Sequence, residues 1–331
     1  MRSILVRAFF ASLVACMLAV PTLGAADDLP EVQKRGTLRH LSIPYANFNT
    51  GSGDGLDVEL MKRFAAYLGV KYEHVESNWG EIIGDLTGKV VKPKGNDVEI
   101  TGEHAIRGDV IANGFTVLPW RQKVVAYSSA IFPTQVWLVV NAASPLKPIV
   151  PGTDVKVDIA ETTKTIKGLT VLGKSGTCLD PGLYNIEGAG AMPKCFAGGL
   201  NDLAPALLKG EADALLLDVP DSLVALRKWP GKIKVIGPMS EQQEMACAFR
   251  PESPKLRAAF ETFLAQCRQD GVYLGLIRTY YPDVFSYYPE FFRNCREAPV
   301  PAKEPMKAAQ EKKADVKTSA TAWDKKSGKK K

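Results

Sequence analysis

Apolar and polar residues along the chain alternate with two different periods. From Leu56 to Gly69 the apolar residues Leu60, Met61, Phe64, Ala65 and Leu68 recur three and four apart, which predicts an amphipathic helix capped by Asp57 and ended by Gly69. Residues 38–43 before it and 70–75 after it are short runs that read as strands. Strand, helix, strand is the building block of a mainly parallel sheet.

The same grammar then occurs twice. A helix over 79–86 ending near Gly88 precedes an apolar strand over 108–114 headed by Asp109. A helix over 201–209 ending at Gly210 precedes another over 212–218 headed by Asp213. Two such copies predict two similar α/β lobes. Residues 89–107 interrupt the first copy at a length suited to a hairpin or surface loop. A strand over 136–141 followed by the polar, Pro-rich stretch 142–167 reads as an exit from one lobe to the other. Strands at 233–236 and 245–249 flank the return, so two crossings would form a hinge. A helix from Pro254 would finish the first lobe, with Leu256, Ala259, Phe260, Phe263, Leu264 and Cys267 on its core face. The expected boundaries are a leader at 1–26, lobe one at 27–138 with its insertion at 89–107, lobe two at 139–240, a return to lobe one at 241–295, and a tail at 296–331.

Composition alters this picture mainly at the ends. The 331 residues carry a formal charge of +6, yet residues 296–331 hold ten Lys and one Arg against five acids, and Arg2 and Arg7 sit near the start. The body between is slightly acidic, which argues against a nucleic-acid partner. Arg2 and Arg7, the apolar run 8–20 and the small residues before Asp27 have the form of a secretory signal, implying export to the periplasm. Leu13-Val14-Ala15-Cys16 also fits a lipoprotein cleavage box, with Cys16 as an alternative lipid anchor, although the residues after it are apolar. The Lys-rich tail has too little apolar content to fold and is expected to be disordered, with a weak contact to an anionic envelope surface as one option.

Candidate chemistry narrows by elimination. Residues 168–175 match the phosphate-binding pattern Gly-x-x-x-x-Gly-Lys-Ser, but Leu169 to Leu172 is strand-like where that motif needs a loop. His40, His74 and His104 are the only histidines; none forms a metal pair or sits beside a nucleophile elbow, so no metal, cofactor or catalytic residue is expected. Five cysteines follow the leader. Cys267 falls on a core face, and the Gly- and Pro-containing loop between Cys178 and Cys195 suggests a disulfide joining them; the pairing of Cys247 and Cys295 stays open.

One ordered set of segments carries a resemblance. Gly114-Phe115-Thr116-Val117-Leu118-Pro119-Trp120-Arg121 with Val124 to Ser128, Pro44-Tyr45-Ala46-Asn47-Phe48, residues 55–60, Gly176-Thr177, Ala212 to Asp218 and Asp270-Gly271-Val272-Tyr273 together resemble the family-3 bacterial extracellular solute-binding proteins, the amino-acid receptors of ABC importers. The resemblance implies a type II periplasmic-binding-protein fold, two α/β lobes joined by a two-strand hinge, in a monomer that passes a small zwitterionic or carboxylate ligand to importer membrane subunits. It implies Arg121 on the ligand carboxylate and Asp218 on its ammonium. It further implies Thr116 and Gly114 in the first-lobe polar shell, Gly176 and Thr177 donating from the second lobe, and Tyr45 or Phe48 covering the ligand side chain. A planar guanidinium suits a carboxylate, and an acid suits an amine. Leu118, where many amino-acid binders carry a hydroxyl, the insertion at 89–107 and the long 151–167 connection depart from the family pattern. The chain also resembles the solute-binding-like module of membrane-bound murein lytic transglycosylases, without their lytic domain. A noncatalytic cell-wall or sensor module and a cyclohexadienyl dehydratase-type enzyme therefore stand as alternatives.

Overall fold

Five strands, in the spatial order Lys71–Glu76, Thr37–Ser42, Val110–Ile111, Ala248–Phe249 and Ala126–Tyr127, form the first sheet, with Ala248–Phe249 antiparallel to its neighbours and the first three mutually parallel. The second sheet repeats this plan with Met192–Cys195, Thr170–Gly173, Ala214–Asp218, Val136–Asn141 and Ile233–Pro238, where Val136–Asn141 is the antiparallel strand. The structure, a computed structural model, describes residues 28–296. The leader expected at 1–26, with Cys16, and the tail expected from 296, apart from Arg296 itself, lie outside the described residues.

The internal repeat extends to single hydrogen bonds. Asp109, ahead of Val110–Ile111, accepts the backbone N–H of Arg39 in the adjoining strand at 2.9 Å. Asp213, ahead of Ala214–Asp218, accepts that of Thr170 at 2.8 Å. Each acid thus fixes the register of a parallel strand pair, and Asp109 is further neutralised by Arg35 and Arg39 at 2.6 and 2.7 Å.

Helices cover the sheets where the apolar period predicted them. Leu56–Tyr67 and Pro254–Gln269 pack together through Phe64, Phe260 and Phe263, and Cys267 lies on the buried face. Ile82–Thr87 ends on Gly88, and Leu203–Leu208 follows a short 3-10 turn at Leu200–Asp202. The insertion is an antiparallel hairpin, Lys89–Lys94 with Asp97–Glu103.

Three local expectations are corrected. Asp57 does not cap its helix: Gly55, at φ 134°, holds the cap position, because a Cβ there would fall 2.3 Å from the Phe48 carbonyl oxygen, and Asp57 is drawn inward instead. The polar stretch 142–167 contains a helix, Val155–Lys164, capped by the Asp154 side chain on the Lys156 N–H; its β-branched residues and thin buried stripe hid it. Residues 245–249 are two strands rather than one. Gln243–Met245 pairs with Phe132–Thr134 where the chain crosses between lobes, and Ala248–Phe249 joins the first sheet.

Candidate functional site

The loop after Val110–Ile111 sets the first-lobe side of the site. Gly114 sits at φ 62°, and a Cβ on it would lie 2.5 Å from the Phe48 ring and 2.8 Å from that of Tyr45, so the position requires glycine. Its N–H donates to the Asp57 carboxylate at 2.7 Å, tying the loop to the helix beneath. Burial lifts Asp57 to a pKa of about 7 against the opposing pull of that hydrogen bond.

Seven residues on, Arg121 opens a single 3-10 turn and is 2% exposed. Its guanidinium carbon lies 4.1 Å from the Phe115 ring centroid, 5.3 Å from Trp120 and 5.8 Å from Trp79, an aromatic box. Nη1 donates to the Thr116 carbonyl at 3.0 Å, and Nη2 crosses to the second lobe to donate to the Gly176 carbonyl at 3.0 Å. Nε has no partner. Burial lowers its pKa, but a guanidinium stays charged in proteins. Its hydrogen bonds go to neutral carbonyls, and among the described residues no carboxylate pairs with it.

The second lobe presents the opposite charge. Asp218 ends the fully buried strand Ala214–Asp218 and caps helix Val219–Lys228 by accepting the Asp221 N–H at 3.2 Å. Its Oδ2 accepts from the Tyr45 hydroxyl of the first lobe and from the Cys178 thiol at 3.5 Å. Burial raises Asp218 to about 6, while Asp221 is pushed well up by burial and then by the charge of Asp218. Of the two, Asp218 is the acid that ionises more readily, because it accepts hydrogen bonds from Tyr45, the Asp221 N–H and Cys178. The Cys178 thiol stands between the two charged groups: burial and Asp218 raise its pKa, and Arg121 opposes them.

The other residues singled out from sequence have different duties. Thr116 supplies its carbonyl to Arg121 and to the Tyr127 hydroxyl. Gly176, at φ 76°, gives its carbonyl to Arg121 and its N–H to Asp180. The Thr177 hydroxyl is used within its own turn, donating to the Lys174 carbonyl and accepting from the Leu179 N–H. Tyr45 faces Asp218, whereas Phe48 lies beneath it in the core against Phe132 and Tyr281. The expected Cys178–Cys195 disulfide is absent: both thiols are free, because Cys178 is buried toward Asp218 while Cys195, on the exposed strand Met192–Cys195, meets Ser175 Oγ at 3.0 Å. The phosphate-motif look-alike is strand Thr170–Gly173, and Lys174 Nζ is held by the carbonyls of Phe196, Ala197 and Gly198.

Sequence reasoning gave no site role to Trp79, Phe115, Trp120 or Tyr127, and gave Cys178 only a disulfide. Two of these had a signal, since Trp120 adjoins Arg121 and Cys178 adjoins Thr177; Trp79 is brought in only by the fold. Beside the aromatic box a cleft of about 610 Å³ opens between the lobes, lined among others by Trp79, Trp120, Ser175 and Gly176.

Comparison with known proteins identifies the family and the fold. Residues 90–283 match the sequence model of the bacterial extracellular solute-binding proteins, family 3. The fold is similar to that of holo ArgBP from T. maritima, with a TM-score of 0.57 and 24% identity, covering 76% of this chain and 99% of that one. It is similar to Tv2483 bound to L-arginine, with a TM-score of 0.62, 19% identity and coverages of 77% and 95%. The ancestral amino acid-binding protein AncCDT-1, a precursor of cyclohexadienyl dehydratase, gives a TM-score of 0.58, 24% identity and coverages of 76% and 98%.

Proposed function

Because the chain belongs to the bacterial extracellular solute-binding proteins, family 3, we propose that it captures a small solute carrying a carboxylate and an amine between its lobes. The solute is then passed, without chemical change, to the membrane subunits of an ABC importer. One observation carries this reading: Arg121 is a buried cation that reaches the second lobe and whose hydrogen bonds go to neutral carbonyls, while that lobe buries the carboxylate of Asp218. A ligand carboxylate would take the guanidinium from the Gly176 and Thr116 carbonyls in a charge-assisted, two-pronged contact, and the ligand ammonium would take Asp218 from the Tyr45 hydroxyl. Tyr45 then covers the ligand. Contacts drawn from both lobes exist only when the lobes meet, so binding stabilises closure. The signal-like leader supports capture in the periplasm, and the reading takes the protein as a monomer.

The test is thermal denaturation of the mature chain against amino acids, dipeptides, simple carboxylates and amines. Ligands bearing both groups should stabilise it, by about 2.7 kcal/mol at a hundredfold excess over Kd. Stabilisation by amines lacking a carboxylate, or by nothing in the panel, would defeat the reading.

A further inference from the structure

The inserted hairpin forms a wall of the cleft beside the Arg121 box. Val91 and Pro93 of strand Lys89–Lys94 line it together with Trp79, Trp120, Ile43 and Ile83, while the second lobe contributes the more polar edge Lys174 to Gly176 and residues 197–199. The hairpin is anchored. At its base Asp85, fully buried, takes His104 at 2.9 Å, Arg107 at 3.0 Å and the Ser77 hydroxyl at 2.6 Å. Nearer its tip, Asp97 pairs with Lys123, two residues beyond Arg121, at 2.9 Å. Trp79, Trp120 and Gly176 belong both to the Arg121 surroundings and to the cleft lining, so the two spaces adjoin. The indole Nε1 of Trp79 is buried and without a hydrogen-bond partner.

We propose that this cleft is a second subsite and that it sets the ligand class: a dipeptide-sized carboxylate whose apolar or ring-bearing body lies between the hairpin and the Trp79 and Trp120 rings. The inference rests on the reading of Arg121 as the carboxylate anchor. A volume of about 610 Å³ falls within the ~300–1,000 Å³ of sites that enclose drug-sized molecules, and a single small amino acid anchored at Arg121 would leave it unfilled. Its walls are apolar on the hairpin side, where a ligand's apolar body gains by leaving water.

Calorimetric titration of the mature protein with glycine, alanine, and the dipeptides Ala-Ala and Ala-Phe tests it. Ala-Phe should bind at least tenfold more tightly than alanine. Val91→Trp, which fills the cleft, should weaken Ala-Phe at least tenfold, and Pro93→Trp serves the same purpose if that variant does not fold. Lys92→Trp, whose side chain points away by strand alternation, should keep the wild-type affinity for Ala-Phe. If alanine binds as tightly as Ala-Phe, or if Val91→Trp and Pro93→Trp both leave Ala-Phe unaffected, the subsite is refuted while the carboxylate anchor stands. If no compound in the series binds, both fall.

Discussion

Replacing Asp57 by Asn tests how the Gly114 loop is held. The carboxyl group is fully buried, with Oδ2 accepting the Gly114 N–H and Oδ1 unpartnered, and burial moves its pKa from 3.8 to about 7. The folded state therefore holds a proton that the unfolded chain releases above pH 4. Wherever the native state binds more protons, stability falls as pH rises. The contribution of Asp57 is thus fully present below its unfolded pKa and is lost between pH 4 and 7. Three pKa units at 1.36 kcal/mol each make that loss about 4 kcal/mol. The neighbouring titratable groups Cys247, Tyr273 and Tyr281 are themselves raised by burial and stay neutral over this range. Asn keeps an acceptor for Gly114 and cannot ionise. Urea unfolding of both proteins from pH 4.5 to 8.5 isolates the effect, because other titrating groups cancel in the difference. The variant should gain on the wild type by several kcal/mol as pH rises to 7 and run parallel to it above. A difference that is flat across the range would show that Asp57 is ionised in the folded protein and that the burial argument is wrong.

Gly114→Ala should destabilise the fold by about 1–3 kcal/mol, since a Cβ at φ 62° meets the Phe48 ring at 2.5 Å; by displacing Tyr45 it should also weaken ligand binding, and a wild-type urea midpoint would contradict this. Alkylation of the native, non-reduced protein followed by peptide mapping should label the exposed Cys195 at once and Cys178, Cys247 and Cys267 only after denaturation. Recovery of a peptide linking Cys178 to Cys195 would contradict the free-thiol arrangement.

What the sequence disclosed was whatever had a local cause. The 3.6-residue period at 56–69 and 254–267 is written by burial of one face, and the Asp-headed apolar strands recur because each Asp holds a neighbouring strand's N–H. Motif order singled out Arg121 and Asp218, and the fold buries both. It did not disclose the aromatic box, because Trp79 reaches Arg121 only through the lobe's folding. Asp57 was misread as a cap because an Asp near a helix start usually is one; its flanking by Leu56 and Val58, both buried, was the contrary signal. Cys178 was misassigned because loop length allows a disulfide without saying which way the thiol points. Here it points at Asp218.

The central claim, that Arg121 receives the ligand carboxylate, is tested most directly by a cycle that changes both partners. The tightest ligand from the thermal panel and its carboxamide analogue are titrated by calorimetry into wild type and into Arg121→Met. Removing either charge alone should cost about 2–5 kcal/mol, the range for truncating one partner of a buried charge pair. Once Arg121 is gone, the carboxamide should lose little more than the acid does, because the two changes remove the same contact. Wild-type affinity in a cooperatively folded Arg121→Met, or losses that simply add, would contradict the assignment and place the carboxylate elsewhere.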